Sequence, residues 1–139
     1  VRPRSFTIEQ ANACIPRVRL LVERLQRGAL RMHEARGTLA HTKGCDAEAV
    51  RLDELLAARP ELRLVVEEVD AAMAEIDRLG AELKDVSLGL VDFPAALNGE
   101  EAYLCWQYGE DCVRFWHRRG EGFAGRRPLP GVPPPPELQ

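Results

Sequence analysis

The sequence has little of what usually announces a chemistry. Its four cysteines, Cys14, Cys45, Cys105 and Cys112, include no C-x-x-C pair, which removes the usual zinc-knuckle and thioredoxin signatures. No Glu-x-x-His occurs, so the helix-borne di-iron signature is missing as well. Ser5 and Ser87 are the only serines, and neither sits in a nucleophile motif. There is no Walker loop and no dinucleotide fingerprint. No stretch approaches the ~20 apolar residues a membrane helix needs, and no charged-then-apolar leader opens the chain. A cytoplasmic protein with scattered free thiols is therefore expected. A formal net charge of -3 gives no overall pull toward nucleic acid or anionic lipid, so neither is an expected partner.

What the 139 residues do contain is helical periodicity. Thr7 followed by Gln10 reads as a capping box, with Phe6 placed to staple onto the first turn. From there Ile8, Ala11, Ile15, Val18, Val22, Leu25, Ala29, Met32 and Leu39 recur at three- and four-residue steps, interrupted at Arg36. Such a coiled-coil-like seam predicts a helix from about Thr7 to about His41, roughly 50 Å long, with Pro16 inside it as an expected kink. Gly44 ends it, and Asp46 can cap a short linking helix carrying Val50, Leu52, Leu55 and Leu56. A second long helix, Pro60 to Leu79, repeats the seam and closes at Gly80. Between Pro16 and Arg36 the first helix carries six arginines against two glutamates. Between Glu61 and Glu82 there are seven acids against two arginines. Complementary flanks on matching seams predict an antiparallel helical hairpin. Its uncovered seam is to be closed by the C-terminal part and by a second copy, which makes a homodimer the expected assembly.

After Gly80 the period changes. "GLVDFP", "EAYLCWQ" and "CVRFWHR" read as three short strands, separated by the turn dipeptides Asn98-Gly99 and Gly109-Glu110. The expected fold is α+β: a long antiparallel helical hairpin plus a short helix, capped by a small antiparallel β-meander. It forms a single domain over 1–129, with the hairpin at 7–80 and the meander and a Gly/Arg loop at 84–129. A Pro-rich tail follows at 130–139, where proline density forbids helix and sheet ladders alike.

The stretches "FTIEQANACIPRVR", "LKDVSLGLVDFPA", "YLCWQYGE", "FWH" and "GFAGRRPL" together resemble the bacterial family catalogued as domain of unknown function 2203. The resemblance covers most of the chain except the Cys45 to Arg59 insert and the tail. It implies no established activity. The positions that match the family pattern are Glu9, Asn12, Pro16, Lys84, Asp85, Asp92, Cys105, Trp106, Glu110, Trp116, His117, Gly122, Phe123 and Arg126. Gln10 departs from the more usual acid, and Cys14 and Cys112 stand where the family has no cysteine.

Residues 103–129 gather both tryptophans, two cysteines and one histidine, and they carry the functional candidates. His117, Cys105, Asp92 and Glu110 form a donor set that zinc or iron accepts, since a borderline metal takes imidazole, thiolate and carboxylate together. Helix-borne carboxylates, Glu9, Glu23 and Glu67 with Glu68 and Glu75, are candidate additional ligands. Arg126 and Arg127 in "GEGFAGRRPL" could fork onto a carboxylate or phosphate; the plainer alternative has Phe123 plugging the core and Arg126 paired with Asp92 or Glu110. Hairpin register decides the metal set. A five-residue loop, Tyr108 to Cys112, puts Cys105 and His117 on one face as diagonal neighbours. A two-residue turn at Gly109-Glu110 instead groups Leu104, Trp106, Val113 and Phe115 with His117 and turns Cys105 away. The second makes the better apolar face and is the expected register. Two functions follow: a small metal- or small-ligand-binding protein, in its fuller form a metalloenzyme, with its site between meander and hairpin; or a non-enzymatic dimerising interaction module whose C-terminal motifs, His117 included, only pack.

Overall fold

The structure is a computed structural model and describes residues 5–133. Helix α1 runs from Ile8 to Lys43 through Pro16, and the predicted capping box starts it. The Gln10 amide donates to Thr7 Oγ1 at 3.1 Å and the Thr7 amide to Gln10 Oε1 at 3.0 Å. Gly44 closes the helix with φ 73°, a left-handed cap that glycine adopts without steric cost. A 3-10 turn at Ala47–Ala49 and helix α2 (Leu52–Ala58) lead to helix α3 (Leu62–Leu79).

The two long helices lie antiparallel, as the charge pattern predicts. Arg17 forks onto Glu75 near one end, Gly28 meets Val65 and Val69 midway, and Ala35 shares a cluster with Leu62 at the other. The seam departs from the simple heptad at one point. Gly28 is buried in place of Ala29, and a Cβ at position 28 would lie 2.5 Å from Val69 Cγ2. Close backbone approach selects glycine there, which hydrophobic periodicity does not register.

Two apolar clusters result. One packs Ile15, Val18, Val22 and Ile76 against Phe93, Leu104 and Trp106 of the sheet. The other, where Val50 and Leu55 meet Ala35, Ala40 and Leu62, closes the far end of the hairpin with the linking segment. No helix among the described residues is long and apolar enough to cross a membrane.

The sheet is an antiparallel meander of five strands in chain order, two more than the three apolar runs predict. They are β1 (Glu82–Asp85), β2 (Leu90–Leu97), β3 (Glu100–Gln107), β4 (Phe115–Arg118) and β5 (Arg127–Pro128). Strand β1 turns back because Asp85 Oδ1 accepts from the Leu88 amide and the Ser87 hydroxyl. Asn98 and Gly99 both take positive φ, the type I′ geometry expected of that dipeptide.

The second hairpin corrects the expected register. Cys105 pairs with Phe115 and Tyr103 with His117, the spacing of the longer loop rather than of a two-residue turn. Side chains hold this loop open. Glu110 accepts from the Gln107 amide at 2.7 Å, its carbonyl accepts from Trp106 Nε1 at 3.0 Å, and Asn12 Oδ1 takes the Val113 amide at 2.7 Å.

Sheet alternation then sorts the side chains. Val91, Phe93, Leu104 and Trp106 face the helices, while Asp92, Tyr103, Cys105 and His117 point to the opposite face. Beyond β5, Leu129 is buried and its amide donates to the Arg114 carbonyl at 2.8 Å, so the proline segment begins anchored. Residues 134–139 of the predicted tail lie outside the described residues.

Candidate metal centre

Asp92 stands directly across from Cys105 in the β2–β3 ladder, and His117 sits diagonally opposite on β4. One sheet face therefore brings together a carboxylate, a thiol and an imidazole distant in sequence. All three are buried, at 3%, 1% and 3% exposure, and one ligand atom from each lies within 4.8 Å of the others. The cover is the segment after β4. Arg119, Glu121, Gly122 and Phe123 close over a cavity of about 250 Å³ whose other walls are Lys84, Leu90 and Tyr103.

The histidine is oriented by its backbone. His117 Nδ1 lies 2.8 Å from the Arg118 carbonyl, which only accepts, so Nδ1 carries a proton and donates. Nε2 faces Asp92 Oδ2 at 3.0 Å, and a hydrogen bond of that length places one further proton between them. Burial raises the Asp92 pKa, opposed by the charges of His117 and Lys84. Burial, followed by the Asp92 charge, pushes the Cys105 thiol up to about 12 despite Arg126 Nη1 at 3.8 Å from its sulfur.

This is not an activated nucleophile. A Cys–His–Asp relay needs one ring nitrogen on the thiol and the other on the carboxylate. Here one nitrogen is spent on the backbone, and the thiol stays protonated. The same arrangement suits a cation. A ring whose Nδ1–H is tied to a carbonyl offers Nε2 as a ligand, and bound metal deprotonates a thiol outright.

The remaining sequence candidates separate. Glu110 is not part of the group: it accepts from Arg126 Nη2 at 2.5 Å and holds the hairpin loop. Arg126 is fully engaged by that carboxylate, with its guanidinium 3.8 Å from the Phe115 ring centre and 4.4 Å from that of Phe123. Arg127 is likewise forked onto Glu121 at 3.0 and 2.9 Å. Each arginine has a carboxylate partner within the chain, and for Arg126 it is the internal pairing with Glu110. Phe123 does not plug the core, being 38% exposed. Glu9, Glu67 and Glu68 are exposed on the helices, Glu23 accepts from the Tyr108 hydroxyl at 2.7 Å, and Glu75 holds Arg17. All these acids belong to the hairpin behind the sheet, so the Asp92–Cys105–His117 group lies on the outer face, away from them, and not between meander and hairpin.

Four polar or charged cavity residues are absent from the site residues expected from the sequence: Lys84, Tyr103, Arg119 and Glu121. The alternation of β3 could have found Tyr103 once the register was known. Lys84 and Arg119 come from the first strand and from a loop, and no spacing rule joins them.

The model of a family described as an uncharacterized conserved protein (DUF2203) matches residues 4–129. No curated protein and no solved structure matches the chain.

Proposed function

The chain belongs to the DUF2203 family, and we propose that it is a small metal-binding protein holding one divalent transition metal on Asp92, Cys105 and His117. One observation carries the reading: the Nδ1–H bond to the Arg118 carbonyl aims the Nε2 side of a buried imidazole at a buried carboxylate and thiol. The buried carboxylate, thiol and imidazole converge within ligand distance of one another, and a metal would engage all three at once. Mixed nitrogen, sulfur and oxygen donors favour zinc ahead of iron. Three donors leave one tetrahedral position open, where zinc can activate water or polarise a carbonyl; a metalloenzyme is the fuller form of the proposal. Four free cysteines fit a cytoplasmic setting.

Untagged protein dialysed against zinc and then measured by elemental analysis tests the reading. One zinc per chain is expected, with retention lost in Cys105→Ala and His117→Ala variants whose circular dichroism is unchanged. The more conservative Cys105→Ser serves if the alanine variants unfold. Folded wild-type protein without stoichiometric metal would overturn it.

A second reading has its own observation. Leu20, Leu30, Leu64 and Met73 are exposed on the helical hairpin, whose arginine and glutamate stripes offer charge complementarity to a second copy. In this reading the chain is a dimerising module. Light scattering on the purified protein distinguishes dimer from monomer.

A further inference from the structure

Resting on the metal reading, we propose that the cavity in front of the three ligands takes a small carboxylate, bound through the open metal position and held at its rim by Arg119. A divalent cation on the Asp92 carboxylate and the Cys105 thiolate leaves the floor neutral. At the rim, Lys84 Nζ lies 4.6 Å from the Tyr103 ring centre and the Arg119 guanidinium 4.5 Å from the same centre. Two cations thus share one ring, with Glu82 beside them accepting from Lys84 at 2.9 Å and from the Tyr103 hydroxyl at 2.9 Å.

Glu121 also lines the cavity, yet Arg127 grips both of its oxygens and the Arg118 amide binds one of them. Among the described residues no carboxylate lies within ion-pair distance of Arg119, whereas its neighbours Arg118 and Arg127 are paired with Glu100 and Glu121. The guanidinium is held in place by its Nε bond to the Ala102 carbonyl at 3.3 Å, which leaves its terminal nitrogens to donate. The rim therefore carries one positive charge more than its acids offset.

Size and lining narrow the class. About 250 Å³ holds a handful of heavy atoms, and Leu90, Tyr103 and Phe123 supply apolar wall. A short aliphatic carboxylate satisfies all of this: its oxygens meet metal and guanidinium, and its carbons meet the wall.

Cobalt is the reporter of choice, because its visible spectrum responds to a change of ligand at the open position. Cobalt-loaded protein is titrated with sodium butyrate at ionic strength held constant with sodium chloride. A saturable spectral change is expected in the wild type. Arg119→Gln should bind cobalt with unchanged stoichiometry but require roughly tenfold more butyrate, the effect of losing one charge-assisted hydrogen bond. Arg119→Lys should recover part of the loss. A cobalt spectrum indifferent to butyrate, or an Arg119→Gln variant that matches wild type, overturns this inference and leaves the metal site standing. Failure to load cobalt overturns both.

Discussion

Metal affinity should rise steeply with pH, and the structure sets the slope. The perturbation is a change of pH across the neutral range, read in wild type and in Cys105→Ala. The Cys105 thiol, pushed up to about 12, is about five pH units from ionising at pH 7, so removing its proton costs about 7 kcal/mol. Zinc-finger peptides bind zinc with an apparent free energy of about 10–16 kcal/mol at that pH, a range that covers only thiols of ordinary pKa, so the raised Cys105 thiol should make binding at neutral pH weaker than theirs. The thiol proton must leave, as must the proton shared by His117 Nε2 and Asp92 Oδ2 wherever that pair still holds it. Each released proton adds one decade of affinity per pH unit. Between one and two decades per unit is therefore expected, with affinity growing as pH rises. In Cys105→Ala the slope should fall by one, and affinity should drop by more than the 10–100-fold typical of outer-shell partners. Competition against a chromophoric chelator at three pH values reads both quantities, and proton release into weak buffer gives the count directly. A pH-independent affinity, or an unchanged slope in the variant, would refute the reasoning: the ligands would then not be these.

Two further predictions concern the scaffold. Gly28→Ala places a Cβ 2.5 Å from Val69 Cγ2, while Gly37 on the same helix faces open space; overpacking of about 1–3 kcal/mol should outweigh the propensity gain of about 1 kcal/mol at 28, leaving Gly37→Ala the stabilising change. Urea unfolding that found both variants equally stabilised would contradict the close helix contact. Asn12→Ala removes the acceptor for the buried Val113 amide and should cost about 1–3 kcal/mol in thermal unfolding, with hydrogen exchange at Val113 rising if the hairpin loop loses its anchor.

The long helices, their capping box, the glycine stops at 44 and 80, and the Asn98-Gly99 turn all follow from rules of a few residues' reach, and all are legible in the sequence. So was the gathering of both tryptophans, two cysteines and one histidine within residues 103–129, which composition singles out. Tertiary structure decided what composition could not. The hairpin register rests on Asn12, a residue 101 positions from the amide it holds, and on a glutamate whose bonds wind the loop. Because strand side chains alternate with period two, that single-residue difference in register moved Cys105 onto the face of His117 and placed both away from the helices. It also freed Glu110 for Arg126 and left Arg119 and Lys84 at the rim. Local sequence determined the rods and the donors; long-range hydrogen bonds determined which donors meet, because a register is a property of two strands and their anchors together.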